Sequence, residues 1–84
     1  MWFLYVVECA DGTLYTGITT DVDRRLHEHN STRKGAKYTR SRRPVILRAF
    51  CLCEDRSDAL VKEIAFKKLS RKQKILEINE WKNK

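Results

Sequence analysis

The sequence predicts one small α+β domain with its elements in the order ββαβαα. A β-branched and aromatic run near the N-terminus is followed at once by a hairpin signal, and two helix-start signals come late in the chain. The third observation is size. With 84 residues, 42% hydrophobic and 35% charged, and only three Gly and one Pro, the chain suits a single core and excludes a disordered, fibrous or multidomain protein. The domain is expected to span residues 1–84 without a linker or an internal repeat.

Trp2 to Cys9 (WFLYVVEC) has almost no polar residue, the pattern of a central strand covered on both faces. Thr13 to Ile18 (TLYTGI) is the second strand, with Ala10-Asp11-Gly12 as the hairpin signal between them. Loop length decides which residues share a face. A two-residue Asp11-Gly12 loop would set Tyr5 opposite Ile18 and turn Tyr5 and Tyr15 to opposite faces. A three-residue loop, with Gly12 as a left-handed bulge, sets Tyr5 opposite Gly17 and makes Tyr5 and Tyr15 diagonal neighbours on one face. Gly17 then leaves space beside the Tyr5 ring, and this is the expected arrangement.

Thr20 followed by Asp23 reads as a capping box opening a helix to about Asn30. Val22 and Leu26 are its apolar residues, and Arg25 and His29 lie one turn apart on a half-buried edge beside them. After Pro44, Val45 to Cys53 reads as a third strand. Asp55 and Asp58 cap a helix to about Leu69, whose apolar residues surround most of its circumference and leave a narrow polar strip with Glu63 and Lys67. Ser70 with Gln73 opens a last helix toward Trp81, with Ile75, Leu76 and Ile78 on its apolar side.

The run from Trp2 to Val7 is far shorter than the roughly 20 residues of a membrane span, and no basic region precedes it, so a cytoplasmic protein away from membranes is expected. Cys9, Cys51 and Cys53 form neither a CxxC pair nor a zinc spacing and read as free buried thiols.

The net charge of +7 is uneven. Residues 1–30 hold five acids against two arginines, whereas residues 31–53 hold seven bases and no acid. Six of those bases, Arg33, Lys34, Lys37, Arg40, Arg42 and Arg43, fall between Ser31 and Pro44 around one aromatic, Tyr38, in a stretch without apolar period. That reads as a basic loop. Uncompensated cations repel one another unless a polyanion neutralises them, which favours a nucleic-acid phosphate backbone over a merely solvated loop.

Phe3-Leu4-Tyr5, then nine residues, then Tyr15-Thr16-Gly17, then Arg25 and His29 on the next helix and Glu63 on a later one, resembles the GIY-YIG nuclease domain. Gly35-Ala36-Lys37-Tyr38-Thr39, Asp55-Arg56-Ser57 and Leu69-Ser70-Arg71-Lys72-Gln73-Lys74 extend the resemblance to small stand-alone members of that superfamily. Here the first motif reads Phe-Leu-Tyr rather than Gly-Ile-Tyr, and residues 64–78 lack the asparagine that larger family nucleases carry after the glutamate helix. The resemblance implies a small three-stranded antiparallel sheet flanked by helices, and hydrolysis of DNA phosphodiesters with Mg²⁺ or Mn²⁺. By position, Tyr5 and Tyr15 match the paired tyrosines, one of which takes a proton from the attacking water. Arg25 matches the arginine at the scissile phosphate, His29 the histidine one turn later, and Glu63 the metal-binding carboxylate. DNA, structured or damaged, is the implied partner; RNA and a protein partner stay open.

The chemistry can also be argued from the residues. A phenol with a pKa near about 10 is a poor base at neutral pH, so it needs cations nearby, and Arg25, His29 and a metal are expected to supply them. Two ordinary surface pairs, Arg25 with Glu28 and Glu63 with Lys67, compete with these roles. A nucleic-acid-binding module that cuts slowly or not at all, or a protein-interaction domain with an incidental basic loop, would carry the same composition.

Overall fold

The computed structural model of the protein describes residues 1–31 and 34–82, with Lys82 described by its backbone alone. Strands β1 (Trp2–Glu8), β2 (Leu14–Thr19) and β3 (Ile46–Cys53) form one antiparallel sheet in the order β2-β1-β3. Helix α1 (Val22–Ser31) and a four-residue helix α2 (Lys37–Arg40) lie between β2 and β3, and α3 (Arg56–Lys67) and α4 (Arg71–Lys82) close the chain.

β1 is central and buried on both faces, so its alternation divides the molecule in two. Leu4 and Val6 join Ala49, Cys53, Ala59, Phe66 and Ile78 in an apolar core beneath α3 and α4. Tyr5, Val7 and Cys9 point the other way, to Val45 and to the partly buried Tyr15, Leu26 and Leu47.

The hairpin has the odd loop. Tyr5 pairs with Gly17 and Val7 with Tyr15, and Gly12 adopts φ +84°, where a side chain would be strained. The Cys9 N–H donates to Thr13 O at 2.8 Å and the Gly12 N–H to Cys9 O at 2.9 Å, closing the three-residue loop. Asp11 stiffens it by accepting from the Thr13 hydroxyl at 2.6 Å and the Thr13 N–H at 3.1 Å. On the other side, β1 and β3 change register between Val6 and Val7, leaving Arg48 as the extra residue, ion-paired with Glu8.

Several local expectations are corrected. The cap of α1 is Asp21 and not Thr20: Asp21 Oδ1 accepts the Arg24 N–H at 3.0 Å, while the Asp21 N–H donates to Thr19 Oγ1 at 3.1 Å. Both later caps form as read. Asp55 accepts from the Asp58 N–H while Asp58 accepts from the Glu54 N–H, and Ser70 and Gln73 bond reciprocally, each side chain accepting from the other's N–H. The basic stretch is not loop throughout, since α2 makes one turn inside it. Helix α3 is not buried around most of its circumference: Val61 and Ile64 are 65% and 56% exposed, because in so small a domain α3 meets the sheet only along the Ala59 and Phe66 line. Of α4's apolar residues, Ile78 is buried and Leu76 faces solvent. The three cysteines are free thiols, with Cys51 only half-buried. Among the described residues, no helix is long and apolar enough to cross a membrane.

Candidate active site

The site is built on the α1 face of the sheet. Gly17 is required there, because a Cβ at its position would stand 2.5 Å from the Tyr5 hydroxyl oxygen. The Tyr5 ring lies across that gap, and its hydroxyl meets His29 Nε2 at 2.7 Å. Tyr15, diagonal to Tyr5 on the same face, sets its ring edge-on to His29 with centroids 5.3 Å apart. The two tyrosines therefore converge on one imidazole.

His29 is brought in by α1. Being one turn after Arg25, it falls on the edge of α1 that meets the sheet, and its side chain is completely buried, deeper than the half-burial expected. Its Nδ1 lies 2.9 Å from Thr39 Oγ1, from α2, and that hydroxyl lies 2.9 Å from Ala36 O. Burial, seconded by the nearby Arg25 charge, pushes His29 down to about 4. At neutral pH it is uncharged. The expectation that His29 supplies a cation to the phenol is thus corrected: it supplies a hydrogen-bond partner.

Tyr5 is moved the other way. Burial raises it to about 12, although the nearby Arg25 guanidinium favours the phenolate. Tyr15 and Glu63 are also near enough to oppose its ionisation. Glu63 stands close to Tyr5, then, and it is paired with Lys67 at 3.3 Å while its side chain keeps 17% of its surface open. Arg25 holds Glu28 at 3.1 Å and donates to Lys34 O at 2.6 Å. Both surface pairs weighed from the sequence exist, without removing either residue from the site.

Among the described residues, no group of three or more His, Cys, Asp or Glu side chains is placed to hold a metal ion. A divalent ion here would rest on Glu63, with water and phosphate oxygens completing its shell. One accessible carboxylate suits Mg²⁺ or Mn²⁺, which keep several waters.

The basic segment divides. Lys34, Lys37 and Arg40 are exposed. Arg42 instead pairs with Asp11 at 3.0 Å, donates to Tyr38 O at 2.8 Å and lies over the Tyr38 ring at 3.9 Å. Tyr38 in turn stacks on Tyr15, with centroids 5.9 Å apart. Arg43 caps the end of α1, donating to the His29 and Glu28 carbonyls. Arg33 lies outside the described residues. Three residues have no role assigned from the sequence, although Gly35 and Thr39 lie in a stretch that carries the resemblance and Asn30 ends the first predicted helix. The Asn30 amide clamps both backbone groups of Val45, at 2.7 and 3.0 Å. Gly35 reads as loop composition, but a Cβ there would stand 2.6 Å from Glu28 O.

Two tyrosines on adjacent strands around a helix-borne arginine and histidine, with a glutamate from a later helix, define a class, and comparison with known proteins agrees. A family model described as the GIY-YIG catalytic domain matches residues 1–76, and the chain belongs to that family. The chain is also similar to UPF0213 protein DP2720 of Desulfotalea psychrophila, 58% identical over 94% of this chain and 74% of that protein. UPF0213 protein VNG_2274C of Halobacterium salinarum is 54% identical over 88% of this chain and 95% of its own. The solution NMR structure of the UPF0213 protein BH0048 from Bacillus halodurans is similar at 44% identity, with a TM-score of 0.60, covering 94% of this chain and 84% of that one.

Proposed function

We propose that the protein is a divalent-metal-dependent endonuclease that hydrolyses DNA phosphodiester bonds, acting on structured or damaged DNA. The observation that carries this reading is the 2.7 Å bond between Tyr5 and an uncharged, buried His29, with Arg25 and Glu63 both near enough to bias the phenol. A phenol near 12 and an imidazole near 4 keep the phenolate–imidazolium pair far uphill in the free protein. Tyr5 therefore loses its proton to His29 Nε2 in the same step in which its oxygen takes the proton of the attacking water. The water oxygen bonds to phosphorus as the ester oxygen leaves and is protonated from solvent. An anionic phosphate beside Arg25 favours imidazolium, so the substrate itself makes His29 a better acceptor. Arg25 neutralises charge growing on the phosphoryl oxygens. A metal held by Glu63 would polarise the phosphate and stabilise the leaving oxygen. The exposed Lys34, Lys37 and Arg40 bind the phosphate backbone without reading sequence.

The purified protein should be tested against flaps, forks, single strands, plasmid and matching RNAs, with Mg²⁺ or Mn²⁺ and an EDTA control. Metal-dependent cutting of DNA is expected. Salt-sensitive binding to all of them with no cutting would instead favour a nucleic-acid-binding module, the second reading, which the basic segment supports. Failure to bind any of them would leave a protein-interaction domain.

A further inference from the structure

Three groups line up through the buried face: the Tyr5 hydroxyl, the His29 ring and the Thr39 hydroxyl, ending on the Ala36 carbonyl. The three bonds from Tyr5 to Ala36 measure 2.7, 2.9 and 2.9 Å. The chain could run in either direction if only its middle members were considered, because a phenol, a neutral imidazole and a hydroxyl each donate and accept. Its last member is not so free. A carbonyl only accepts, so the single Thr39 hydroxyl hydrogen goes to Ala36 O, and the Thr39 oxygen accepts from His29 Nδ1–H. Nε2 is then bare, and the Tyr5 hydroxyl donates to it.

One contact opposes this direction. The Ala36 N–H lies 3.4 Å from Nδ1 and would prefer a lone pair there. At that distance it is weaker than either bond the ring makes. His29 and Thr39 themselves are 0% exposed, so water does not compete for their groups.

We propose that Thr39 is a positioning residue of this site: its hydroxyl holds His29 in the tautomer protonated on Nδ1, which leaves the Nε2 lone pair aimed at the Tyr5 hydroxyl. The role rests on the reading of Tyr5 and His29 given above, and it adds a reason for α2, the helical turn that carries Thr39 to the ring. When the Tyr5 proton moves to Nε2, the Nδ1 proton stays with Thr39, and the imidazolium has both N–H groups bonded. Tyr15 meets the same ring edge-on, with centroids 5.3 Å apart.

The tautomer can be read directly, apart from catalysis, from the ring ¹⁵N shifts and two-bond couplings of His29 in labelled protein, comparing the parent with Thr39→Val and Thr39→Ser. The parent is expected to show the proton on Nδ1, Thr39→Ser to keep it there, and Thr39→Val to lose that preference. On the best DNA substrate, Thr39→Val should cut roughly 10- to 100-fold more slowly, the usual effect of removing a group that orients a functional histidine, and Thr39→Ser should recover most of the rate. A parent protonated on Nε2 overturns the proposal whatever the activities, and so does Thr39→Val with the parental tautomer and rate. If Thr39→Val does not fold, the parent and Thr39→Ser spectra still decide. If the parent cuts nothing, the nuclease reading fails, whereas a tautomer that follows the Thr39 hydroxyl still supports its positioning role.

Discussion

The two faces of β1 are built to opposite rules. On the α3 and α4 side, Leu4 and Val6 join an apolar cluster, so another apolar side chain of similar volume and shape would serve. On the α1 side, Tyr5, His29 and Thr39 are as deeply buried as the core, yet each carries a polar group that must find a partner inside the protein. No polar side-chain atom among the described buried residues is left without one. One strand thus divides stability from chemistry by its two-residue period, and changes on the two faces should fail differently.

Glu63→Gln should give the largest effect, loss of Mg²⁺-dependent cleavage with folding and DNA binding retained. Plasmid nicking beside a binding titration would check it, and parental cutting would end the metal assignment. Leu4→Ala tests the other face. It is expected to cost about 2–5 kcal/mol in denaturant unfolding, with the cleavage per folded molecule little changed.

The difference between the faces also governs what the sequence reveals. The apolar face was legible, because β1's run of hydrophobic residues and the capping signals of α3 and α4 act locally. The register of the hairpin was legible too, since only an odd loop places Tyr5 beside Gly17, and Gly12 permits that loop. Thr39 was not. It reaches His29 across ten residues by way of a single turn, and no periodicity marks such a contact. The neutral state of His29 was equally hidden, since it follows from complete burial and not from the neighbours visible in sequence. Arg42 and Arg43 looked like the other bases of their segment until Asp11, Tyr38 and the end of α1 were seen to engage them. The exposed apolar face of α3 reflects a domain too small to cover it.

A smaller, pH-dependent effect should separate the faces again. His29 has a folded pKa of about 4 against an ordinary 6.5, so between those values the unfolded chain binds more protons than the folded one. Its neutral burial contributes fully above pH 6.5, and stability should fall as the pH drops from there toward 4. Denaturant midpoints across that window should show the slope in the parent and lose most of it in His29→Gln. An unchanged slope would mean that His29 is not the group responsible.

Replacing Lys34, Lys37 and Arg40 with Gln should weaken all DNAs alike and flatten the salt dependence by about one unit of log–log slope for each phosphate that no longer meets a cation. Unequal weakening across sequences would show base reading instead. The smallest effect is expected for Lys67→Ala. It removes an ion pair exposed on its lysine side and worth about 0.3–0.5 kcal/mol, and should leave cleavage near the parental rate, distinguishing Glu63 as a metal ligand from Glu63 as a salt-bridge partner.

The most direct measurement is cleavage by Tyr5→Phe. Removing one oxygen keeps the ring that fills the gap at Gly17 but breaks the 2.7 Å bond to His29. With Mg²⁺ and the parent's best DNA substrate, the rate should fall by at least about 10²-fold, the scale of a missing general base, while the variant remains folded and binds that DNA as the parent does. A Tyr5→Phe protein that cuts at the parental rate would contradict the account.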